Sequence, residues 1–320
     1  MADDDSLGSR IGTHRLKVWV FLRADRGVLT LLILSSFFVG LVAISIGGPA
    51  PMRTVIIDAD ALWWVFSPMI TAIITAVSLV VTVNQLVLSQ ELGALGDQWD
   101  RMEEAMAFRT NVEPWLSDQV APVDPATFIT SILTAIEEAA GELQNQQAAV
   151  EEFTTEIIED ARETSNQLDD AAFGTFDVVS AALDFNYGAK INEARRLARQ
   201  HEGSPAQRHL EDIDTLLTYY GPTREHIKTL YFQWELVNLS RMMLVTAFPA
   251  LLAALGMLLV VDGESIEIVV AGIDGLAILV AAAVAISLTP FFVLCAYVLR
   301  IATVAKRTLA IGPFVLRDDD

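Results

Sequence analysis

Four segments of this 320-residue chain are long, apolar and uncharged, and they constrain its fold more than any other feature. They cover residues 28–46, 61–83, 242–261 and 276–299, and none contains Asp, Glu, Lys or Arg. A bilayer core of about 30 Å requires about 20 apolar residues in a helix, because lipid offers no hydrogen-bond partner to a bare backbone. The sequence therefore predicts an all-α integral membrane protein with four transmembrane helices.

The placement of Lys and Arg predicts how these helices are oriented. Nine basic residues flank the spans at the two ends of the chain, within residues 1–27 and within residues 300–320. The two loops on the opposite side contain one basic residue, Arg53. Basic loops remain on the cytoplasmic side. The sequence thus predicts a multi-pass protein of the cell membrane with both termini, 1–27 and 301–320, in the cytoplasm. Its two transmembrane hairpins are residues 28–88 and 241–300.

The segment between the hairpins, residues 89–240, carries most of the charge. It contains 28 acidic and 10 basic residues, a net charge of −18 out of the −20 of the whole chain. Binding to nucleic acid requires clustered Lys and Arg, and this balance excludes it as a partner. Only four of the 21 basic residues are Lys. A high content of Asp and Glu together with few Lys residues is typical of haloarchaeal proteins, in which salt screens the repulsion between like charges.

The acidic segment is predicted to be a helical cytoplasmic domain. The helical pattern of the second span continues to Pro114, and Gly221-Pro222 predicts a break before a helix that runs into the third span. Asp124-Pro125 marks the start of a helix. Further helices are predicted around 173–185 and 189–200 and from Pro205. Two rows follow residue 124 with a heptad period, Ile129, Ile136, Leu143, Val150, Ile157 and Leu133, Ala140, Gln147, Thr154, Ala161, Leu168. They predict a coiled-coil-like seam, packed as a helix hairpin or bundle.

The second span carries a polar stripe, which is the candidate functional site. Its six residues are spaced by three or four positions, which places them on one helical face: Thr71, Thr75, Ser78, Thr82, Gln85 and Ser89. One interpretation is that they line an aqueous pathway, because hydroxyls and amides can replace the hydration shell of an ion. The other is a helix contact face, since small hydroxyl residues allow membrane helices to approach closely.

The two outer loops, 47–60 and 262–275, are short. Two β-rich runs within them, 52–57 and 266–270, can pair as a small lid. Asp274 lies at the mouth of the fourth span, where we interpret it as a loop carboxylate and not as a charge within the hydrocarbon. Trp63 and Trp64 open the second span and are typical of aromatic anchors at the membrane interface.

The sequence contains no linear motif for catalysis. The GxSxG, GxxxxGK, dinucleotide and HExxH patterns are all missing, and the single cysteine, Cys295, lies in an apolar segment. We therefore predict a non-enzymatic protein with no cofactor, no metal site and no catalytic residue.

Two resemblances add to this interpretation. The stretch from Val83 to Gly93, followed by Gly96-Asp97-Gln98, resembles haloarchaeal four-pass membrane proteins. The architecture of two spans, a helical cytoplasmic block and two more spans is similar to that of bestrophin-type anion channels, and Phe108-Arg109-Thr110-Asn111 resembles their Phe-Arg-x-Asn motif. Here the motif lies about 25 residues beyond the span and lacks the aromatic residue and Arg that follow it in those channels. The second resemblance implies an oligomer around a central pore.

The sequence therefore predicts a homo-oligomer embedded in the lipid bilayer, with an ion channel or pore as its most specific function. The alternative is a membrane-anchored signalling or scaffolding protein that recruits a cytoplasmic partner protein through its helical domain.

Overall fold

The computed structural model of the protein describes residues 19–20, 24–48, 52–58, 60–117, 120–143, 148–169, 171, 176–264, 266–307, 310–311 and 314–315. Helices account for nearly all regular structure in these ranges, and the prediction of an all-α chain is confirmed at that level. The chain divides into two compact units. We call the one built mainly from Gly93–Trp234 the helical unit, and the one built from Trp19–Leu92 and Glu235–Ala302 the apolar unit.

The elements follow one another along the chain in a simple order. The helices are α1 (Arg26–Gly47), α2 (Met52–Asp58), α3 (Ala61–Glu91), α4 (Leu95–Val112), α5 (Pro125–Gly141), α6 (Ala148–Asp169), α7 (Phe176–Asp184), α8 (Tyr187–Gln200), α9 (Pro205–Leu259) and α10 (Gly275–Arg307), with a 3-10 turn at Glu113–Trp115. Two antiparallel pairs of two-residue strands complete the described part: β1 (Val269–Val270) with β2 (Ile273–Asp274), and β3 (Ala310–Ile311) with β4 (Phe314–Val315).

Four helices, α1, α3, α9 and α10, are long and apolar enough to cross a membrane, and they indicate a membrane protein. Each contains one of the predicted apolar segments, except that α9 ends at Leu259, two residues before the predicted limit. α1 begins at Arg26, because the Oδ1 atom of Asp25 caps it by accepting hydrogen bonds from the backbone N–H groups of Gly27 (2.8 Å) and Val28 (3.1 Å).

Within the apolar unit, α3, α9 and α10 pack through small residues. Ala250 and Ala254 of α9 and Ala283 of α10 are buried in the contacts between these helices. Ser287 of α10 donates a hydrogen bond to the backbone carbonyl of Ala250 across the interface, at 3.3 Å. Small side chains allow helices to approach closely and gain dispersion contacts.

The prediction that the second span continues as one helix to Pro114 is wrong. α3 ends at Glu91 and α4 begins at Leu95. Gly93 lies between them, where an added Cβ would come within 3.3 Å of the Cβ atom of Asp97. The backbone leaves the helical conformation at Leu92 (ψ 70°) and is extended at Ala94 (ψ 156°), which separates the two helices.

The heptad rows of the helical unit pack as a hairpin of two helices, α5 and α6, and do not form one continuous seam. The Oδ1 atom of Asp124 caps α5 as predicted, by accepting a hydrogen bond from the N–H group of Thr127 at 2.9 Å. Gln147 lies outside the described residues. The ten other members of the two rows are all buried: Ile129, Leu133, Ile136, Ala140, Leu143, Val150, Thr154, Ile157, Ala161 and Leu168.

The predicted break at Gly221-Pro222 is also wrong, because α9 continues through both residues. Tyr220 is fully buried and donates a hydrogen bond from its hydroxyl to the carbonyl of Ala182, at 2.8 Å. A Cβ atom on Gly221 would lie 2.8 Å from the Cε2 atom of Tyr187. Gly221 therefore leaves space beside α9 for the ring of Tyr187 from α8. Tertiary packing of this kind keeps α9 helical through Pro222, against the local preference of the sequence.

Buried charge in the helical unit is paired. Lys190 is 5% exposed, and its Nζ atom lies 3.3 Å from Glu156 and 2.5 Å from Asp160. The ammonium also lies 5.5 Å from the centre of the Phe185 ring. The side chains of Glu156 and Asp160 are 65% and 43% exposed, so the lysine is the buried partner and the two carboxylates also face solvent.

Candidate functional site in the apolar unit

The structure places the whole polar stripe on one exposed face of α3. All six predicted residues are exposed and are not covered by the other described helices of the same chain: Thr71, Thr75, Ser78, Thr82, Gln85 and Ser89. The stripe is thus one continuous surface, available to whatever surrounds the apolar unit.

The opposite face of α3 is an apolar ridge that packs into the unit. Phe66, Ile73 and Val80 recur every seven residues and are 0%, 6% and 8% exposed. At about 100° per residue, this ridge lies roughly 160° around the helix from the centre of the polar stripe. α3 therefore buries this ridge and leaves the stripe exposed, together with apolar neighbours such as Leu79 and Leu86.

The hydroxyl groups of the stripe donate to the backbone of their own helix. Thr75 donates to the carbonyl of Thr71, and Thr82 donates to that of Ser78, both at 2.8 Å. Ser78 and Ser89 make similar bonds, to the carbonyls of Ile74 (2.8 Å) and Leu86 (2.7 Å). These bonds occupy the hydroxyl protons, so the oxygen lone pairs are what the four side chains still offer.

Gln85 differs from the rest of the stripe. Its amide makes no hydrogen bond to any other residue that the structure describes. An amide transferred into hydrocarbon without a partner costs about 4–8 kcal/mol, so this side chain requires water, a headgroup or another protein surface. The neighbouring Asn84 has a buried Oδ1 atom, which likewise lacks a hydrogen-bond partner among the described residues.

Two buried arginines join the first and last helices of the apolar unit, and we call Arg26 and Arg300 the arginine clasp. Arg26 donates from Nη1 to the carbonyl of Ala296 at 3.0 Å, and Arg300 donates from Nη2 to the carbonyl of Ala24 at 2.7 Å. Both arginines are less than a tenth exposed. Hydrogen bonds from a charged donor are among the stronger ones, and here they are reciprocal.

Two further polar residues of α9 are buried in the apolar unit. Glu235 is 8% exposed and, like Arg26, lies within electrostatic reach of the Tyr297 hydroxyl. Ser240, five residues further along α9, is 6% exposed. The sequence analysis treated Arg26 and Arg300 only as markers of orientation. Their position at the edges of the predicted apolar segments 28–46 and 276–299 was the available signal, since charges at such places are seldom buried without a role.

At the other end of the helices, Arg53 holds the two connecting loops together. Its guanidinium donates to the carbonyls of Ile266 (2.5 Å) and Gly263 (3.2 Å) and lies 3.4 Å from the carboxylate of Asp274. Asp274 also accepts from the N–H group of Leu276 at 2.8 Å, so it caps α10 as a loop carboxylate.

The predicted pairing of 52–57 with 266–270 is wrong. Residues Met52–Asp58 form helix α2, and Val269–Val270 instead pairs with Ile273–Asp274 in a tight hairpin. Residues 269–270 therefore pair with a neighbouring segment and not with the distant residues 52–57, because closing the shorter loop costs less entropy.

Within the described ranges, no group of three or more His, Cys, Asp or Glu side chains is close enough to hold a metal ion. Cys295 is half-buried on α10 as a free thiol.

No curated protein and no solved structure matches the chain. A family model does match, and it covers residues 1–320, the full length of the sequence. The protein therefore belongs to DUF7972, a family of unknown function.

Proposed function

We propose that this protein is a non-enzymatic membrane protein in which several copies of the chain assemble with the polar face of α3 turned inward, and that the assembly conducts ions along this face. The observation that carries the proposal is the exposure of all six stripe residues on the side of α3 opposite its packed ridge. A polar face that the chain leaves uncovered is best satisfied by water or by another copy.

The hydrogen bonds of the stripe favour cations over anions as the conducted species. The protons of Thr75, Ser78 and Thr82 are bonded to carbonyls of their own helix, so the pathway is offered oxygen lone pairs. Oxygen lone pairs replace the hydration shell of a cation. An anion would need hydroxyl or N–H donors, which these three side chains do not offer and which the Gln85 amide offers at one position of the stripe. This selectivity differs from that implied by the resemblance to anion channels.

Ion flux through the purified protein in liposomes tests the proposal. In Thr75→Leu and in Thr82→Leu, a branched apolar side chain replaces a hydroxyl and removes its oxygen lone pairs from the pathway. We expect each change to reduce cation flux at least tenfold. Val83→Leu is the matched control, because Val83 is 43% exposed on another face of the same helix and the change adds only bulk. Flux that is absent from the parent protein, or equal in all four proteins, would refute the pore.

The orientation of the chain is part of the proposal. The nine basic residues that flank the spans at the chain ends support cytoplasmic termini and a cytoplasmic position for the segment between α3 and α9. A single cysteine introduced at Glu142, in a Cys295→Ala chain, should resist a membrane-impermeant maleimide in intact cells. It should react once the cells are opened, and labelling in intact cells would contradict this orientation.

A second candidate function, recruitment of a cytoplasmic protein, is favoured by one surface of α4. Leu95, Trp99, Met102 and Met106 lie on one helical face at spacings of four, three and four, and each is more than half exposed. Glu103 lies beside this apolar strip, and Asp97, Asp100 and Glu104 lie further round the same helix. The chemistry fits the apolar face of an amphipathic helix whose polar residues are basic.

Photo-crosslinking in the full-length protein separates the two candidates. A benzoylphenylalanine at Met102 lies in the strip, and one at Glu104 lies on the far side of α4 and serves as the control. Recruitment predicts a crosslink from position 102 alone to a different protein that carries a basic amphipathic helix. A crosslink from position 102 to a second copy of the chain would instead assign the strip to self-assembly.

A further inference from the structure

The connecting loops of the apolar unit enclose a cleft that is separate from the polar stripe. Its volume is about 320 Å³, at the lower end of the range for small-molecule sites. The base is apolar and includes Ile56 of α2, Leu62 of α3 and Met257 of α9. Ile56 and Met257 are 5% and 3% exposed, so the base is a firm part of the packed unit. We call this the loop cleft.

The charged side chains that line the loop cleft are all acidic. They belong to Asp60, Asp262 and Glu264. The carboxylates of Asp60 and Glu264 make no hydrogen bond or ion pair with any residue that the structure describes. Arg53, the basic residue of these loops, is not a lining residue; its guanidinium donates to the backbone carbonyls of Gly263 and Glu264 and pairs with Asp274. The cleft therefore presents negative charge beside an apolar floor.

An aromatic ring completes the wall. Trp63 lines the cleft, whereas its neighbour Trp64 does not. The face of an indole ring attracts cations, most strongly those with a weakly hydrated, alkylated head. A divalent metal ion does not fit this arrangement, since the described carboxylates form no cluster of three that could bind one.

We infer that the loop cleft binds a small organic cation with an alkylated ammonium head. The apolar floor holds the alkyl groups, Trp63 faces the positive charge, and the carboxylates of Asp60 and Glu264 balance it at the rim. This inference does not rest on the proposed pore: the cleft can bind such a cation whether or not α3 conducts ions.

Isothermal titration with choline tests the inference on the full-length protein, in phosphatidylglycerol nanodiscs and at fixed KCl concentration. These lipids carry no ammonium group that could occupy the site. The neutral isostere of choline, 3,3-dimethylbutan-1-ol, has the same shape without the charge. We expect choline to bind at least about tenfold more tightly than this alcohol, since charge and ring both act on the cation alone.

Variants locate the binding. Trp63→Leu should weaken choline binding by at least about fivefold, and Trp64→Leu should leave it unchanged although Trp64 is 74% exposed. Asp60→Asn and Glu264→Gln should each weaken it, and circular dichroism shows whether each variant is folded. The inference is overturned if choline binds no better than the neutral alcohol, or if the two tryptophan variants behave alike.

A lipid headgroup is the other source of the same chemistry. In phosphatidylcholine nanodiscs, loss of the free-choline signal would show that the headgroup takes the cleft. Retention of the signal would show that the cleft admits only the free cation. Both outcomes preserve alkylammonium recognition, and they identify where the ligand comes from.

Discussion

Gly221→Ala is the substitution whose effect follows most directly from the geometry. In most helices this change is favourable, because alanine has the higher helix propensity by about 1 kcal/mol. Here the new Cβ atom would lie 2.8 Å from Cε2, 3.2 Å from Cζ and 3.3 Å from the hydroxyl oxygen of Tyr187. Favourable carbon contacts occur at about 3.5–4.0 Å, so the closest pair would overlap by roughly 0.7 Å or more.

The Tyr187 ring has little room to move away. It is 6% exposed, packs 5.9 Å from the ring of Tyr220, and has the guanidinium of Arg224 4.6 Å from its centre. Overpacking of this kind costs about 1–3 kcal/mol. After the gain of about 1 kcal/mol in propensity, we expect Gly221→Ala to destabilise the helical unit by about 0–2 kcal/mol.

A double-mutant cycle with Tyr187→Ala isolates the clash. With the ring removed only the propensity remains, so Gly221→Ala should become favourable by up to about 1 kcal/mol. The coupling between the two sites should be about 1–3 kcal/mol, or about 5- to 150-fold in the exchange rate of α9 amides measured by hydrogen–deuterium exchange on the full-length protein.

Gly141→Ala serves as the control, because a Cβ atom at Gly141 meets nothing within 4 Å. It should not speed exchange. Slower exchange in Gly221→Ala alone, or the same effect with and without the Tyr187 ring, would refute the packing explanation for this glycine.

Three further results are expected. Gly275→Ala should cost about 1–3 kcal/mol of stability, because the new Cβ atom would lie 2.6 Å from the carbonyl oxygen of Ile268 in the loop between α9 and α10. The thermal midpoint of the protein should fall, and an unchanged midpoint would contradict this. Ser78→Cys in a Cys295→Ala chain should form a disulfide-linked dimer on oxidation in membranes, and monomer alone would disprove assembly through the stripe. Burial raises the pKa of Tyr187 above 10.0, so its contribution to stability is present below pH 10 and is lost as the pH rises through its folded pKa. Melting curves at pH 9 and pH 11 should therefore show a smaller alkaline loss in Tyr187→Phe than in the parent protein.

The features of the fold that could be predicted from sequence are those fixed by local pattern. The four apolar helices follow from hydrocarbon length, and the start of α5 follows from the cap at Asp124. Gly221 shows the limit of such reasoning, since a Gly-Pro pair normally ends a helix. Here the ring of Tyr187, 34 positions earlier, decides the outcome, and no local pattern reports a contact at that distance.

The candidate site likewise has one part that the sequence predicts and other parts that it does not. Helical spacing alone places the stripe from Thr71 to Ser89 on one face, and the structure puts all of it on the exposed side of α3. The sequence shows that Arg26 and Arg300 border apolar segments, but it cannot show what they bind, because their partners are backbone carbonyls, which every residue possesses. The loop cleft was hidden for a related reason, because its lining comes from loops and helix ends that are distant in sequence.

The arginine clasp also sets an order of events during synthesis. Arg26 and Ala296 are 270 positions apart, and Ala24 and Arg300 are 276 apart. At about 5–20 residues per second, roughly 15–55 s pass between translation of the first member of each pair and the last. Throughout that interval the carbonyl of Ala296, to which Arg26 of α1 donates in the finished chain, has not yet been synthesised. A chain truncated before α10 would lack this contact at the start of its first helix.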